Sequence, residues 1–473
     1  MSTGHDVSDP TAGPGPAIGE LSGRVSGPVL LPGDEAYDEE RTGYQTFGVH
    51  RPALVVGATR AEEVRAAVEF AAAHDLPVAV QATGHSPALA ADGGLLITTD
   101  RMTDVRIDPE ARTARFAAGV TSRQLIEAAT PHGLAPLNGS APGVGAVSYM
   151  LGGGLGLMAR RHGYAADHIR AIDVVTADGQ LRHVTGESDP DLFWALRGGR
   201  GSLGVVTALE VDLVPVERLY GGGLYFDGSL AEHVVNAYLR WTETVPDEMT
   251  SSIALVPLPD IPVLPPPLRG RYVVHVRVAY LGDAETGERL VAPLRALGPA
   301  LADSVRELPY AESGSIHNDP VQPAPYIGTN AMTRDLDEDL VKTVLELTGP
   351  QAPITCIVEI RHLGGALAQP PAVANAVGNR DAAYMLAVLN RVAPDNLDAT
   401  RAAHARLIEA LEPVTTGRSL NFLYGENATA EQVRMAYDPK DYLRLREIKA
   451  VYDPANLFRL THNIPPINVQ SIR

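Results

Sequence analysis

From Pro52 onward the spacing of apolar positions changes period several times. Pro52 to Ala58 is a nearly unbroken apolar run, which predicts a buried strand. Val64, Ala67, Val68 and Ala71 then recur at three- and four-residue intervals, the spacing of one helix face. Thr59 stands before that helix with Glu62 three residues on, the pattern of a capping box. Leu76 to Gln81 is apolar again, so the segment predicts a β-α-β unit, and Gly94 to Thr99 predicts a further strand. Val105–Asp108 and Thr113–Ala118 flank Pro109-Glu110-Ala111-Arg112, the signature of a hairpin. Thr121 with Gln124 predicts a second capped helix. Ile172 to Val184 predicts another hairpin, turning at Asp178-Gly179. Asp189-Pro190 opens a helix with aspartate at the cap and proline in the first turn. That helix runs to the glycine turn at Gly198-Gly199-Arg200-Gly201, and Val205 to Leu213 predicts a strand. Short α/β pieces followed by hairpins predict an α+β domain rather than a doubly wound one.

The pattern changes at about Pro215. Strand-like runs at Tyr272–Leu281 and Ile354–Arg361 are separated by helical stretches, and Pro257 to Pro267 is too rich in proline for regular structure. This predicts a second domain, a sheet with helices on one side. A length of 473 residues also asks for two domains rather than one core. The boundaries read as a disordered tail over 1–20, rich in Gly, Pro, Ser and Asp, a first domain over 21–215 and a second over 216–414.

Composition narrows the function classes. A formal charge of −18 argues against nucleic acid and anionic membrane surfaces as partners, and fits a solubilising role. The one cysteine, Cys356, rules out an intrachain disulfide and a multi-thiolate metal site. It lies in the apolar run Ile354–Val358, which predicts a buried inert thiol. No apolar segment is long enough to span a bilayer, and the N-terminus lacks the marks of a secretion signal, so the expected location is cytoplasmic. The first strand is not followed by Gly-x-Gly-x-x-Gly, which weakens any nicotinamide-dinucleotide reading.

The candidate chemistry lies in four small-residue loops: Gln81-Ala82-Thr83-Gly84-His85-Ser86, the run Gly139 to Gly145, the run Gly152 to Gly156, and Gly201 to Thr207. Loops of this kind can close backbone N–H groups on phosphate oxygens. One such loop reads most simply as a turn; several together point to a phosphate-bearing ligand. The set resembles the flavin-binding domain of the berberine-bridge-enzyme-like oxidases, which belong to the vanillyl-alcohol-oxidase (PCMH-type) superfamily. The resemblance implies a two-lobed FAD-binding domain and a substrate domain whose antiparallel sheet is covered by helices. It also implies that the tail over 415–473, with its motif Arg444 to Arg459, returns to the FAD domain.

The resemblance assigns roles residue by residue. His85, in Gly84-His85-Ser86, is the family's attachment point to the 8α-methyl of FAD. Gln81, Ala82, Thr83, Gly84, Ser86, Gly139 and Gly145 belong to the loops that hold the diphosphate. Ala141 stands where relatives carry the cysteine of Cys-Pro-x-Val-Gly, here Ala141-Pro142-Gly143-Val144-Gly145. The flavin is therefore expected to carry a single covalent link, as in the 6-hydroxy-D-nicotine oxidase branch. Val144 matches the position beside flavin C4a, where a small residue leaves room for molecular oxygen. Tyr149 matches a polar position near the ribityl chain and pyrimidine, and Gly153, Gly154, Gly204 and Val206 fall within the cofactor set. Asn463 keeps the second asparagine of Asn-x-Asn-Ile, while Thr461 replaces the first.

Oxidising a C–H bond needs the substrate carbon against flavin N5, and for an alcohol also a base. The tyrosine of the family's Tyr-x-Asn-Phe is absent: the run reads Ser419-Leu420-Asn421-Phe422. Tyr424 is two residues past Phe422 and, in a strand, would share its face. Glu359 and Arg361 share a strand face with His362 opposite, which reads either as a pocket floor, where the pair would orient the substrate's polar group and Glu359 assist proton removal with Tyr424 as the next candidate, or as a surface ion pair. His317 reads as a loop residue. The expected function is an FAD oxidase that acts on a small alcohol, amine or natural-product intermediate and reduces oxygen to hydrogen peroxide. Two alternatives stay open: a flavin-holding cyclase or isomerase without net oxidation, and a flavin dehydrogenase with another acceptor.

Overall fold

In the computed structural model, which describes residues 15–467, the first apolar run becomes the strand Leu54–Gly57, buried at all four positions. The helix Ala61–Ala73 buries Val64, Ala67, Val68 and Ala71. Its start differs from the expected capping box. Arg60 is the cap residue, so Glu63 occupies the third helical position and Glu62 points to solvent. Glu63 accepts bonds from the Thr59 N–H (2.9 Å) and hydroxyl (3.0 Å) and from the Ser26 N–H (3.2 Å). The strand after the helix is Val78–Gln81. It does not pair with Leu54–Gly57 directly, because Leu95–Thr98 lies between them and is parallel to both. Val29–Leu30 completes this sheet on the far side of Leu54–Gly57.

The second lobe is a five-stranded antiparallel sheet in the order Val105–Asp108, Thr113–Ala117, Val205–Asp212, Ile169–Val175, Leu181–Val184. Both expected hairpins are present. The Thr121 box forms with Gln124, and Asp189 accepts from the Leu192 N–H at 3.3 Å. The helix Ala61–Ala73 shares one core with Leu54 and Ile97 on one side and Val175 and Val205 on the other, which joins the lobes.

The second domain is a nine-stranded antiparallel sheet in the order Ala300–Asp303, Arg218–Asp227, Tyr272–Tyr280, Met249–Pro257, Ile357–His362, Tyr384–Arg391, Tyr326–Thr333, Thr415–Gly417; Arg306–Pro309 also pairs with Arg218–Asp227. Alternation decides its two faces. Val274, Val276, Val278, Val358, Ile360, Leu386 and Val388 pack with Val234, Tyr238, Val291, Val341, Val344 and Leu407 of four helices. His275, Arg277, Glu359 and Arg361 fall on the opposite face. That face meets the FAD domain: Arg361 Nη1 donates to Leu155 O (3.4 Å), and the Tyr326 hydroxyl donates to His85 O.

The C-terminal segment packs back against the first domain. Thr415–Gly417 still pairs with Tyr326–Thr333, so the boundary falls after Gly417 rather than at 415. The helix Pro439–Tyr452 places Leu445 and Ile448 in the core of the FAD domain, and Leu457 O accepts from Val78 N–H at 3.0 Å. The buried Lys449–Asp453 pair (2.5 Å) fixes this return, with Asp453 also accepting from Leu457 and Phe458 N–H at 2.7 and 2.9 Å. At the other end, part of the tail expected to be disordered is ordered: Gly15–Ser22 is a helix whose Leu21 is buried against Leu54. The rest of that tail, 1–14, lies outside the described residues.

Candidate active site

Strand Val78–Gln81 delivers its chain directly into the loop Ala82–Ser86. The Gln81 side chain is structural, with Oε1 3.2 Å from His50 Nε2. The loop turns at Gly84, whose φ is +67°; a Cβ there would lie 2.6 Å from Gly43 Cα. The loop's carbonyls are occupied. Thr83 O accepts from Tyr44 N–H (2.9 Å), Gly84 O from Gln45 N–H (3.0 Å), and His85 O from the Tyr326 hydroxyl. Its N–H groups are not: among the described residues nothing accepts from the backbone of Ala82, Thr83, Gly84, His85 or Ser86. A run of free, successive N–H groups about a left-handed glycine is an anion cradle.

The second loop is held beside the first by the start of helix Ser122–Ala129. Its leading N–H groups, which a helix cannot use internally, donate from Ser122 to Val144 O (2.9 Å) and from Arg123 to Pro142 O (2.8 Å). Thr83 ties the loops together. Its hydroxyl accepts from Gly145 N–H (3.2 Å) and lies 2.8 Å from His85 Nδ1. The His85 ring stacks on Tyr44, with centroids 3.9 Å apart and planes 9° apart. Its Nε2 side faces Gly143, where a Cβ would be 4.0 Å away. Burial pushes the His85 pKa down to about 4, so the imidazole is neutral near pH 7. His85, Tyr44, Arg123, Ala141, Pro142 and Gly143 line a cleft of about 720 Å³. Cys356 is elsewhere, fully buried, its thiol pushed up to about 11 by burial.

Other expected cofactor residues have packing roles. A Cβ on Gly139 would come within 3.0 Å of the Tyr149 ring; one on Gly154 would first meet Ala165 (2.6 Å) and one on Gly156 the Asn138 carbonyl (2.4 Å), with Tyr149 next at 3.0 and 2.9 Å. Gly153 abuts Tyr164 and Val377, Gly204 presses against Val174 and Val175, and Val206 is in the core. None of the four positions Gly153, Gly154, Gly204 and Val206 lines the His85 cleft. The Tyr149 hydroxyl, Asn421 Oδ1 and Asn463 Oδ1 are buried without a hydrogen-bond partner, and burial raises the Tyr149 pKa while Arg361 opposes the rise. Buried polar atoms without partners call for a water, an ion or a ligand. Together with the cleft and the free N–H row, they fit FAD: the Ala82–Ser86 loop would hold the diphosphate and His85 the flavin edge.

On the sheet, Glu359 and Arg361 are not a surface pair. Glu359 is largely enclosed, its side chain 13% exposed, with Oε1 2.6 Å from Arg277 Nη1 and Oε2 3.0 Å from Arg361 Nε. Burial raises its pKa, but the charges of Arg361 and Arg277 outweigh this and hold the carboxyl below its usual range. His317, expected as a loop residue, lies in a turn but is buried, with Nδ1 3.6 Å from Glu359 Oε1. His362 is on the other face, bonded to Arg160 at 3.0 Å. Sequence reasoning missed Arg277 and His275, although they interrupt the strand Tyr272–Tyr280 with the same two-residue alternation that marked Glu359 and Arg361.

Tyr424 is corrected. Residues Leu420–Phe422 form a 3₁₀ turn rather than a strand, so Phe422 and Tyr424 do not share a face. Phe422 lies under the Arg361 guanidinium (4.9 Å), whereas Tyr424 packs edge-on to Tyr326 (5.6 Å, 88°) with its hydroxyl against Gly328. Burial raises the Tyr424 pKa well above its usual value, which keeps the phenol protonated.

Comparison with known proteins places this architecture. Residues 52–185 match the model of an FAD binding domain, and 424–465 match berberine and berberine-like proteins. The chain therefore carries an FAD-binding domain and a berberine-like C-terminal segment, has the fold of PCMH-type FAD oxidases, and is an FAD-linked oxidoreductase. It is 29% identical over 459 residues to (R)-6-hydroxynicotine oxidase of Paenarthrobacter nicotinovorans, covering 93% of this chain and 97% of that protein. The crystal structure of 6-hydroxy-D-nicotine oxidase from Arthrobacter nicotinovorans superposes with a TM-score of 0.80 at 26% identity, covering 94% and 99% of the two chains. Xylooligosaccharide oxidase from Myceliophthora thermophila shares the fold, with a TM-score of 0.82, 23% identity and coverage of 96% and 100%.

Proposed function

We propose that the protein is an FAD-dependent oxidase that carries its flavin on His85 and oxidises a small alcohol, an amine or a natural-product intermediate. The observation that carries the covalent reading is the state of His85. The imidazole is neutral, and stacking on Tyr44 fixes its plane. The Thr83 hydroxyl, 2.8 Å from Nδ1, holds the ring with Nε2 turned toward Gly143. A neutral, oriented imidazole is the nucleophile that attachment needs. Ala141, on the same cleft wall, offers no second nucleophile.

FAD bound here would accept a hydride from the substrate carbon and pass two electrons to molecular oxygen, which leaves with two protons as hydrogen peroxide. The chain's own residues bind and orient. The sheet face with Arg277, Glu359 and Arg361 meets the FAD domain at Leu155. Glu359 is an electrostatic anchor rather than a base, because guanidinium N–H groups occupy both of its oxygens and depress its pKa. Tyr424, held protonated, is not a ready proton acceptor either. The oxidase reading is tested without a substrate. Photoreduced enzyme mixed with air-saturated buffer should reoxidise within seconds and release one peroxide per flavin. A reduced flavin that persists in air would instead favour a dehydrogenase.

A further inference from the structure

Resting on the oxidase reading, we infer that the substrate carries a carboxylate, and that Arg277 and Arg361 bind this group at the small cavity, of about 20 Å³, between the large sheet and Leu155–Leu157, with the rest of the substrate outside it. The cluster is one positive charge in excess: two guanidinium groups against the single carboxylate of Glu359, with His275 and His317 beside them on the same side of the sheet. The nearest other guanidinium, Arg160, is already matched by Asp247 at 3.1 Å. Arg277 and Arg361 are nearly enclosed, with side chains 10% and 12% exposed. A buried charge without a counter-charge is costly, so the surplus calls for an anion.

The donor count agrees. Arg277 uses Nε on His275 Nδ1 (3.0 Å) and Nη1 on Glu359, while Arg361 uses Nε on Glu359 and Nη1 on Leu155 O. Neither Nη2 has an acceptor among these bonds, and both residues line the cavity. Two further polar atoms at its wall, Ser252 Oγ and His317 Nδ1, are buried without partners; Ser252 is 3% exposed and His317 7%. Free guanidinium N–H groups beside a hydroxyl are the complement of a planar carboxylate, which takes paired N–H bonds. Burial and the neighbouring arginines hold His317 neutral, so it adds no second charge.

Isothermal titration calorimetry of the protein as purified, with sodium benzoate against benzamide, tests this without turnover. Benzoate should bind, and benzamide should bind roughly ten- to a hundredfold more weakly, the worth of a charge-assisted hydrogen bond. Arg277→Gln and Arg361→Gln should each erase most of that preference. Glu359→Gln should act oppositely and tighten benzoate, since it leaves two unopposed guanidinium groups. Far-ultraviolet dichroism and flavin content control for folding, and Arg277→Lys and Arg361→Lys, which keep the charge but lose the paired N–H fork and should keep only part of the preference, leave the proposal open to refutation if a glutamine variant misfolds. Equal binding of benzoate and benzamide, no benzoate binding, or Glu359→Gln weakening benzoate would each overturn the inference. So would an arginine variant that keeps its preference for benzoate and shifts only the flavin midpoint potential, because the charge would then serve the flavin. A protein purified without flavin would defeat the oxidase reading itself; a yellow protein indifferent to benzoate would defeat only this one.

Discussion

Replacing Glu359 by glutamine removes one charge from the middle of the buried cluster and leaves the shape almost unchanged. Both carboxylate oxygens are committed, one to Arg277 at 2.6 Å and one to Arg361 at 3.0 Å. Glutamine keeps one acceptor oxygen but turns an amide NH₂ toward one guanidinium. Removing one partner of a buried ion pair costs about 3–5 kcal/mol, because the charge left behind is unpaired. Here two guanidinium groups are left, so the upper half of that range is expected. The assay is thermal unfolding followed by tryptophan fluorescence, compared at pH 7 and across acid pH. The sign is fixed by the pKa. The Glu359 carboxyl is held below its ordinary value of 4.5, so its stabilising contribution is complete above that value and is lost as pH falls through the lower, folded one. Glu359→Gln should therefore lie well below the wild type at pH 7, and the gap should narrow as pH drops below about 4. A variant as stable as the wild type at pH 7, or a gap that widens in acid, would refute the electrostatic account of this cluster.

Thr83→Val keeps the shape at Thr83 but removes the bonds to Gly145 and His85, each worth roughly 1 kcal/mol. The fraction of covalently bound flavin, read as in-gel fluorescence after acid treatment, should fall while the protein stays folded; full fluorescence would show that Thr83 does not orient His85. Val144→Leu should slow reoxidation of the photoreduced flavin in stopped flow. Its backbone is pinned by the Ser122 bond whatever the side chain, so unchanged reoxidation would remove Val144 from the oxygen path.

Local signals in the sequence were legible because short-range rules govern them. The two hairpins, the Thr121–Gln124 box and the Asp189 cap form where the residues predicted them. A shift of one residue was enough to undo the other box: Arg60 caps the helix without a side-chain bond, and Glu63 rather than Glu62 reaches back to Thr59. Order within a sheet is non-local, and nothing in 52–81 announces that Leu95–Thr98 inserts between the two strands. In the site, alternation exposed Glu359 and Arg361, but Arg277 and His275 were hidden by the strong apolar character of the valines around them. His317 sits in a polar stretch, Ser315 to Asp319, whose burial comes only from packing under the sheet face. The glycines at 139, 154 and 156 looked alike in sequence to those at 84 and 143, yet they pack beside the Tyr149 ring, a distinction that needs three dimensions. Tyr424 was misplaced because a 3₁₀ turn and a strand start are indistinguishable in so short a run.

The central claim is a single flavin bond at His85, and peptide mass spectrometry of the purified protein tests it most directly. After tryptic digestion, one peptide containing His85 should carry the mass of FAD or of its hydrolysed flavin mononucleotide, with fragment ions placing the addition on that histidine. The peptide containing Ala141 should be unmodified. An unmodified His85 peptide, with all flavin released on denaturation, would contradict the account, and so would a flavin bound to any other residue.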